Sequence, residues 1–110
     1  MNFKLRLTHI HNYKQDAKKR NIEFLISLEY MQKILDDQNY KCALSGLNLS
    51  VSNNMSFSRK GTMSLDRIDS SKPYVEGNIQ WLHKTVNIMK NKWAEEEFFI
   101  WCKLVAEHNK

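Results

Sequence analysis

The chain has few of the residues that staple or interrupt a fold. Its two cysteines, Cys42 and Cys102, stand 60 positions apart and neither belongs to a Cys-x-x-Cys pair. One disulfide could form, but a cytosolic chain more often keeps free thiols, and a four-cysteine zinc site is excluded by count. The single proline, Pro73, cannot lie inside a central strand and marks a loop. No apolar run approaches the roughly 20 residues that a membrane helix needs. The segment MNFKLRLTHIHNYK lacks both the apolar core and the small-residue cleavage site of a signal peptide, so a cytoplasmic location and no membrane partner are expected. Internal repeats and linker-like stretches are missing too. At 110 residues the chain is expected to form one domain, 1–110.

Acidic residues are outnumbered: 17 Lys and Arg against 12 Asp and Glu give a net charge of +5. A small basic domain attracts polyanions, of which nucleic acid is the commonest. Residues 12–20 (NYKQDAKKR) read as a short basic helix, with Lys18, Lys19 and Arg20 placed to meet phosphates or simply to solvate a helix face. Arg59, Lys60, Lys90 and Lys92 are further candidate DNA contacts. His9 and His11 alternate as in a strand.

Ser27 is a good N-cap, and Glu29 in the first turn favours the positive helix end. A helix is predicted over 28–38, with Leu28, Met31, Ile34 and Leu35 facing the core and Asn39 as its stop. Ser45-Gly46 signals a turn, and the polar stretch 50–61 a loop or hairpin tip. Strands are expected at 62–68 and 79–82, separated by the 69–74 loop and a Glu76-Gly77 turn, then a helix over 83–92. A last helix over 94–108 begins with Glu95, Glu96 and Glu97, which suits the dipole. Its stripe Phe98, Trp101, Cys102 and Val105 recurs at i, i+3, i+4, i+7 and is predicted to face the core.

The chemistry concentrates in Ser64–Lys90, SLDRIDSSKPYVEGNIQWLHKTVNIMK. His83 and Asn87, four apart on a helix, share one face, and Asp66 from the preceding strand can meet them. A carboxylate, an imidazole and an amide oxygen suit a divalent ion with waters left in its shell. Such an ion can grip a phosphodiester and stabilise the leaving oxygen.

These residues resemble the HNH nucleases, whose active site is a ββα-metal finger. Asp66-Arg67 stands where the family has an acidic residue followed by His. Gly77-Asn78-Ile79-Gln80 matches the middle motif, and Asn87-Ile88-Met89-Lys90 the helical one. QNYKCALSGLNL (38–49) is similar to the Cys-x-x-(Thr/Ser)-Gly lead-in of phage-type members, and KKRNIEF (18–24) to their N-terminal region. The resemblance covers about residues 13–105. It implies an α+β fold: a small hairpin-plus-helix finger at about 62–92, flanked by further helices. It also implies a metal-dependent DNA endonuclease from a bacterial or phage-infected cell, acting on double-stranded DNA with Mg²⁺ or Mn²⁺ and leaving a 5′-phosphate and a 3′-hydroxyl. Asp66, His83 and Asn87 would hold the ion, and Asn78 would brace the loop and orient the catalytic residues. A homodimer could place two sites on opposite strands.

Two departures stand out. Arg67 replaces the usual His base and stays protonated at neutral pH; it can hold the phosphate or stabilise transition-state charge instead. The nucleophile would then be activated by metal-bound hydroxide, His83 if it is not a ligand, Asp69 or Tyr74. The positions where many members carry two Cys-x-x-Cys pairs read Cys42/Ser45 and His83/Val86, so no structural zinc is expected. A catalytically inactive HNH-like domain that binds DNA is the alternative reading.

Overall fold

The computed structural model describes residues 4–50 and 61–110. In chain order the elements are α1 (Leu7–Lys19), α2 (Leu28–Asp37), β1 (Met63–Arg67), β2 (Ile79–His83), α3 (Lys84–Lys90) and α4 (Glu95–His108). Among the described residues the sheet is a single antiparallel pair, so the fold is α+β, with four helices around two strands. No described helix is long and apolar enough to cross a membrane.

Local sequence sets most boundaries. Ser27 Oγ accepts the Tyr30 N–H at 3.0 Å and starts α2, satisfying a backbone donor that the first turn leaves unpaired. With so little glycine, asparagine closes the helices. Asn21, Asn39 and Asn91 follow α1, α2 and α3 with φ of 58°, 54° and 50°, a positive φ that Asn tolerates better than most residues. Gly77 takes φ +89° in the turn before β2, where a side chain would be strained.

The N-terminal helix is longer than the basic segment suggests. His9 and His11 lie inside α1 rather than in a strand. His9 Nδ1 accepts the Arg6 N–H at 2.9 Å, which satisfies an otherwise unpaired donor of the first turn. Burial, then the charge of Arg6, holds the His9 imidazole below its ordinary pKa.

Register divides the sheet into two faces. The pairs Met63↔His83, Leu65↔Trp81 and Arg67↔Ile79 share one face; Ser64↔Leu82 and Asp66↔Gln80 share the other. The first face meets α2. Trp81 is fully buried with Met31 and Leu35, its Nε1–H donates to the Met31 carbonyl at 3.0 Å, and Tyr13 of α1 packs edge-on at 5.5 Å. Gln38 Oε1 accepts the Trp81 N–H and Nε2 donates to the Trp81 carbonyl, both at 2.9 Å. One side-chain amide thus caps the open edge of β2 where a third strand would pair. The second face meets α3.

The predicted core stripe of α4 is only partly buried. Phe98 is buried (7%), but Trp101 (52%) and Val105 (63%) are exposed. Phe98 is the one buried residue of α4, and Glu95 in its first turn bonds Gln80 of β2, so most of its apolar spacing is not matched by a surface that covers it. The whole 50–61 loop except its ends lies outside the described residues.

Candidate functional site

The second sheet face sets Ser64, Asp66 and Gln80 beside the fully buried Leu82, and so many polar groups are unusual for the inside of a small domain. Ser64 and Asp66, two apart on β1, both point toward α3. Asn87 and Lys90, three apart on α3, point back. Asn87 Nδ2 donates to Ser64 Oγ at 2.7 Å. Lys90 Nζ donates to both Asp66 oxygens, at 3.0 and 3.3 Å, and to the Arg67 carbonyl at 3.2 Å. These are two neighbouring rungs between strand and helix, about 7 Å apart along β1.

The inner rung is deeply buried. Lys90 is 0% exposed and Asp66 6%. A lone charge there would carry a penalty of several kcal/mol, so each ion requires the other. Gln80, opposite Asp66 in the sheet, donates through Nε2 to Asp66 Oδ2 at 2.9 Å and to Glu95 Oε2 at 2.8 Å. Glu95 of α4 is thereby joined to the same network. This burial corrects one expectation: Lys90 cannot meet DNA phosphates from that position, because its ammonium is consumed by Asp66 inside the fold.

The residue beside Asp66 faces the other way, because adjacent strand residues alternate. Arg67 Nη1 donates to the Ser70 and Lys72 carbonyls at 2.8 and 3.0 Å. Its guanidinium lies 5.5 Å from the centre of the Tyr74 ring, a cation–π distance. Tyr74 is itself buried, tilted against Phe24 at 5.3 Å, with its hydroxyl accepting from Arg20 Nη1 at 3.4 Å. Its backbone bridges to residues 23–25. Arg67 and Tyr74 therefore form one stack that fastens the 69–74 loop to the N-terminal half.

Asn78 holds the same loop from beneath. Its Oδ1 accepts the Asp69 N–H at 2.9 Å, and Nδ2 donates to the carbonyls of Asp69 and Pro73 at 3.1 and 2.9 Å. Asp69 is exposed; Oδ1 accepts from both the hydroxyl and the N–H of Ser71, and those bonds hold its carboxyl below the usual range.

His83 does not join Asp66. It pairs with Met63 at the opposite end of the sheet, three residues or about 10 Å from Gln80. Its Nδ1 accepts the Thr85 N–H at 3.1 Å and caps α3. Of the three expected ligands, then, the fold brings Asp66 and Asn87 to a common face and leaves His83 outside it. Among the described residues no three His, Cys, Asp or Glu side chains converge.

Cys42 is buried close to β2. Burial raises its thiol, but donors outweigh that: the Ser45 side chain and the backbone N–H groups of His83, Ser45 and Leu44 leave it below the ordinary cysteine value. The sulfur acts as an acceptor knitting two turns together. On the surface, Lys18, Lys19, Arg20 and Lys92 are exposed, with Arg20 Nη1 also 3.4 Å from Asp16. Arg59 and Lys60 lie outside the described residues.

Three members of the polar network receive no role from the motif reading, although Gln80 stands inside its middle motif: Ser64, Gln80 and Glu95. Gln80 leaves the clearest trace, a polar residue in the otherwise apolar run Ile79–Leu82. Comparison with known proteins adds no family: the chain matches no family model, no curated protein and no solved structure.

Proposed function

We propose that this domain is a metal-dependent DNA endonuclease of the HNH kind. The observation that carries the reading is that a strand carboxylate, Asp66, and a helix amide, Asn87, stand on neighbouring rungs of the one face between the two strands and α3. These are the two oxygen donors of the motif match. A carboxylate and an amide oxygen suit a hard divalent ion such as Mg²⁺ or Mn²⁺, which keeps several waters and takes few protein ligands. The cation already lying on both Asp66 oxygens, the Lys90 ammonium, marks that carboxylate as a place where positive charge is stable.

Asp66 and Asn87 would hold the ion; with Nδ2 committed to Ser64, Oδ1 is the acceptor that Asn87 has to offer. When bound, the ion supplies charge next to the scissile phosphate and its leaving oxygen. Lys90 must yield part of Asp66 to it. Asn78 keeps the 69–74 loop in one conformation, and Arg67 anchors that loop while setting a permanent positive charge at the end of β1. Glu95, tied to Asp66 through Gln80, is the carboxylate placed to take a proton on this face. Exposed Lys18, Lys19, Arg20 and Lys92 would draw double-stranded DNA to the domain.

A second reading, an inactive domain that binds DNA, is favoured by the same ion pair, since Lys90 neutralises the carboxylate a metal would need. Arg67 in place of an imidazole base points the same way. Supercoiled plasmid incubated with Mg²⁺, Mn²⁺ or EDTA separates the two. Metal-dependent nicking or linearisation, abolished in Asp66→Ala and reduced at least 100-fold in Asn87→Ala (about 2.7 kcal/mol of barrier), is the expected outcome. DNA retarded on a gel but uncut in every metal establishes the binding domain instead. Cleavage unchanged in Asp66→Ala overturns the site.

A further inference from the structure

We infer that α4 is a self-association surface, and that its occupant is α4 of a second copy of this chain packed antiparallel. The inference does not rest on the nuclease reading. Its starting point is the apolar stripe that the fold leaves uncovered. Ile100 is 58% exposed, Trp101 52%, Leu104 52% and Val105 63%. Trp93, 45% exposed, extends the patch, with its ring 6.2 Å from that of Trp101. Side chains of this size, each half bare, expose on the order of 100 Å² apiece. Together they make roughly 500 Å², at the upper end of what a monomer shows to water. With a polar rim added, the patch approaches the roughly 800 Å² per partner of a standard interface.

The spacing of the stripe says what fits it. Glu97, Ile100, Trp101, Leu104, Val105 and His108 follow one another at intervals of three, one, three, one and three. The series reads the same in either direction, and on a helix these positions share one face. A two-fold axis passing between Cys102 and Lys103 sets Trp101 against the partner's Leu104 and Ile100 against the partner's Val105. It also sets Glu97 against the partner's His108. A surface that is its own complement under a two-fold rotation is what an isologous dimer requires.

Charge selects the antiparallel arrangement. The first turn of α4 carries Glu95, Glu96 and Glu97; its last turn carries Glu107 and His108, with Lys110 just beyond. Antiparallel packing sets Glu97 against the partner's His108 and Glu95 against its Lys110 and opposes the two helix dipoles; parallel packing would stack three glutamates on three glutamates. The helix spans about 21 Å at 1.5 Å per residue, long enough for the whole stripe to engage.

Sedimentation equilibrium of the full chain, over a wide range of concentration, tests this. A monomer–dimer equilibrium is expected, weakened about 100-fold by Trp101→Glu and by Leu104→Lys, with circular dichroism confirming that both exposed-site variants keep their helix. Glu97→Lys should weaken the dimer about tenfold, and the double variant E97K/H108E should restore it, because each new lysine then faces a new glutamate. A chain that stays monomeric at every concentration overturns the proposal. So does a dimer indifferent to Trp101→Glu. A charge reversal that the second substitution does not rescue overturns the antiparallel register.

Discussion

At the residue scale, the polar face turns on two side chains, the buried Asp66–Lys90 pair. Breaking a buried pair leaves one charge without compensation, at a cost of about 3–5 kcal/mol. In a domain whose total stability is on the order of 5–15 kcal/mol, that is a large share. Lys90→Met should therefore lower the urea midpoint strongly. If Asp66 is a metal ligand, the freed carboxylate should then bind Mn²⁺, and the ion should raise the melting temperature of Lys90→Met more than that of the wild type. Equal responses of the two proteins would separate Asp66 from metal binding. The candidate site was legible in part. Asp66, Asn78 and Asn87 were visible as a spaced motif. The burial of Lys90 was not, since a lysine at the end of a helix gives no sign in sequence of whether its ammonium reaches water or a carboxylate.

At the scale of elements, local signals carried far. Ser27, Asn39 and the acidic start of α4 stand where the helices begin or end; β1 lies within the predicted 62–68, and β2 runs one residue past the predicted 79–82. The cap at Ser27 can be weighed directly. Ser27→Ala should cost about 1 kcal/mol, or about 4–8 °C in melting temperature for a domain near this size. A change below a few tenths of a kcal/mol would mean that packing of Met31 and Leu35, and not the cap, sets the start of α2. His83 shows the limit of such reading. Four positions from Asn87, it would share a helical face only if both lay on the helix. It is instead the last residue of β2 and the cap of α3, and the pleat turns it away from Asp66.

For the molecule as a whole, the basic excess becomes a surface only once folding has decided which charges stay outside. Lys90 is withdrawn inside, whereas Lys18 and Lys19 project from α1. If α1 lies along a DNA backbone, the observed binding constant should fall steeply with salt. Lys18→Ala combined with Lys19→Ala should then lower the slope of log K against log salt by about 2, as read by fluorescence anisotropy across a potassium chloride series. An unchanged slope would move the DNA footprint away from α1.

By itself the sequence determined the class of fold, the order of its elements and where its polar motif residues stand along the chain, because caps, turns and apolar spacing act over a few neighbours along the chain. Tertiary structure alone decided which of those residues meet. Strand register placed Asp66 and Arg67 on opposite faces, sent His83 to the far end of the sheet, and buried Lys90 against Asp66. It also left Trp101 and Val105 in water, although their spacing is that of a buried helix. Spacing records that a face is apolar; only the arrangement of the whole chain shows whether anything covers it.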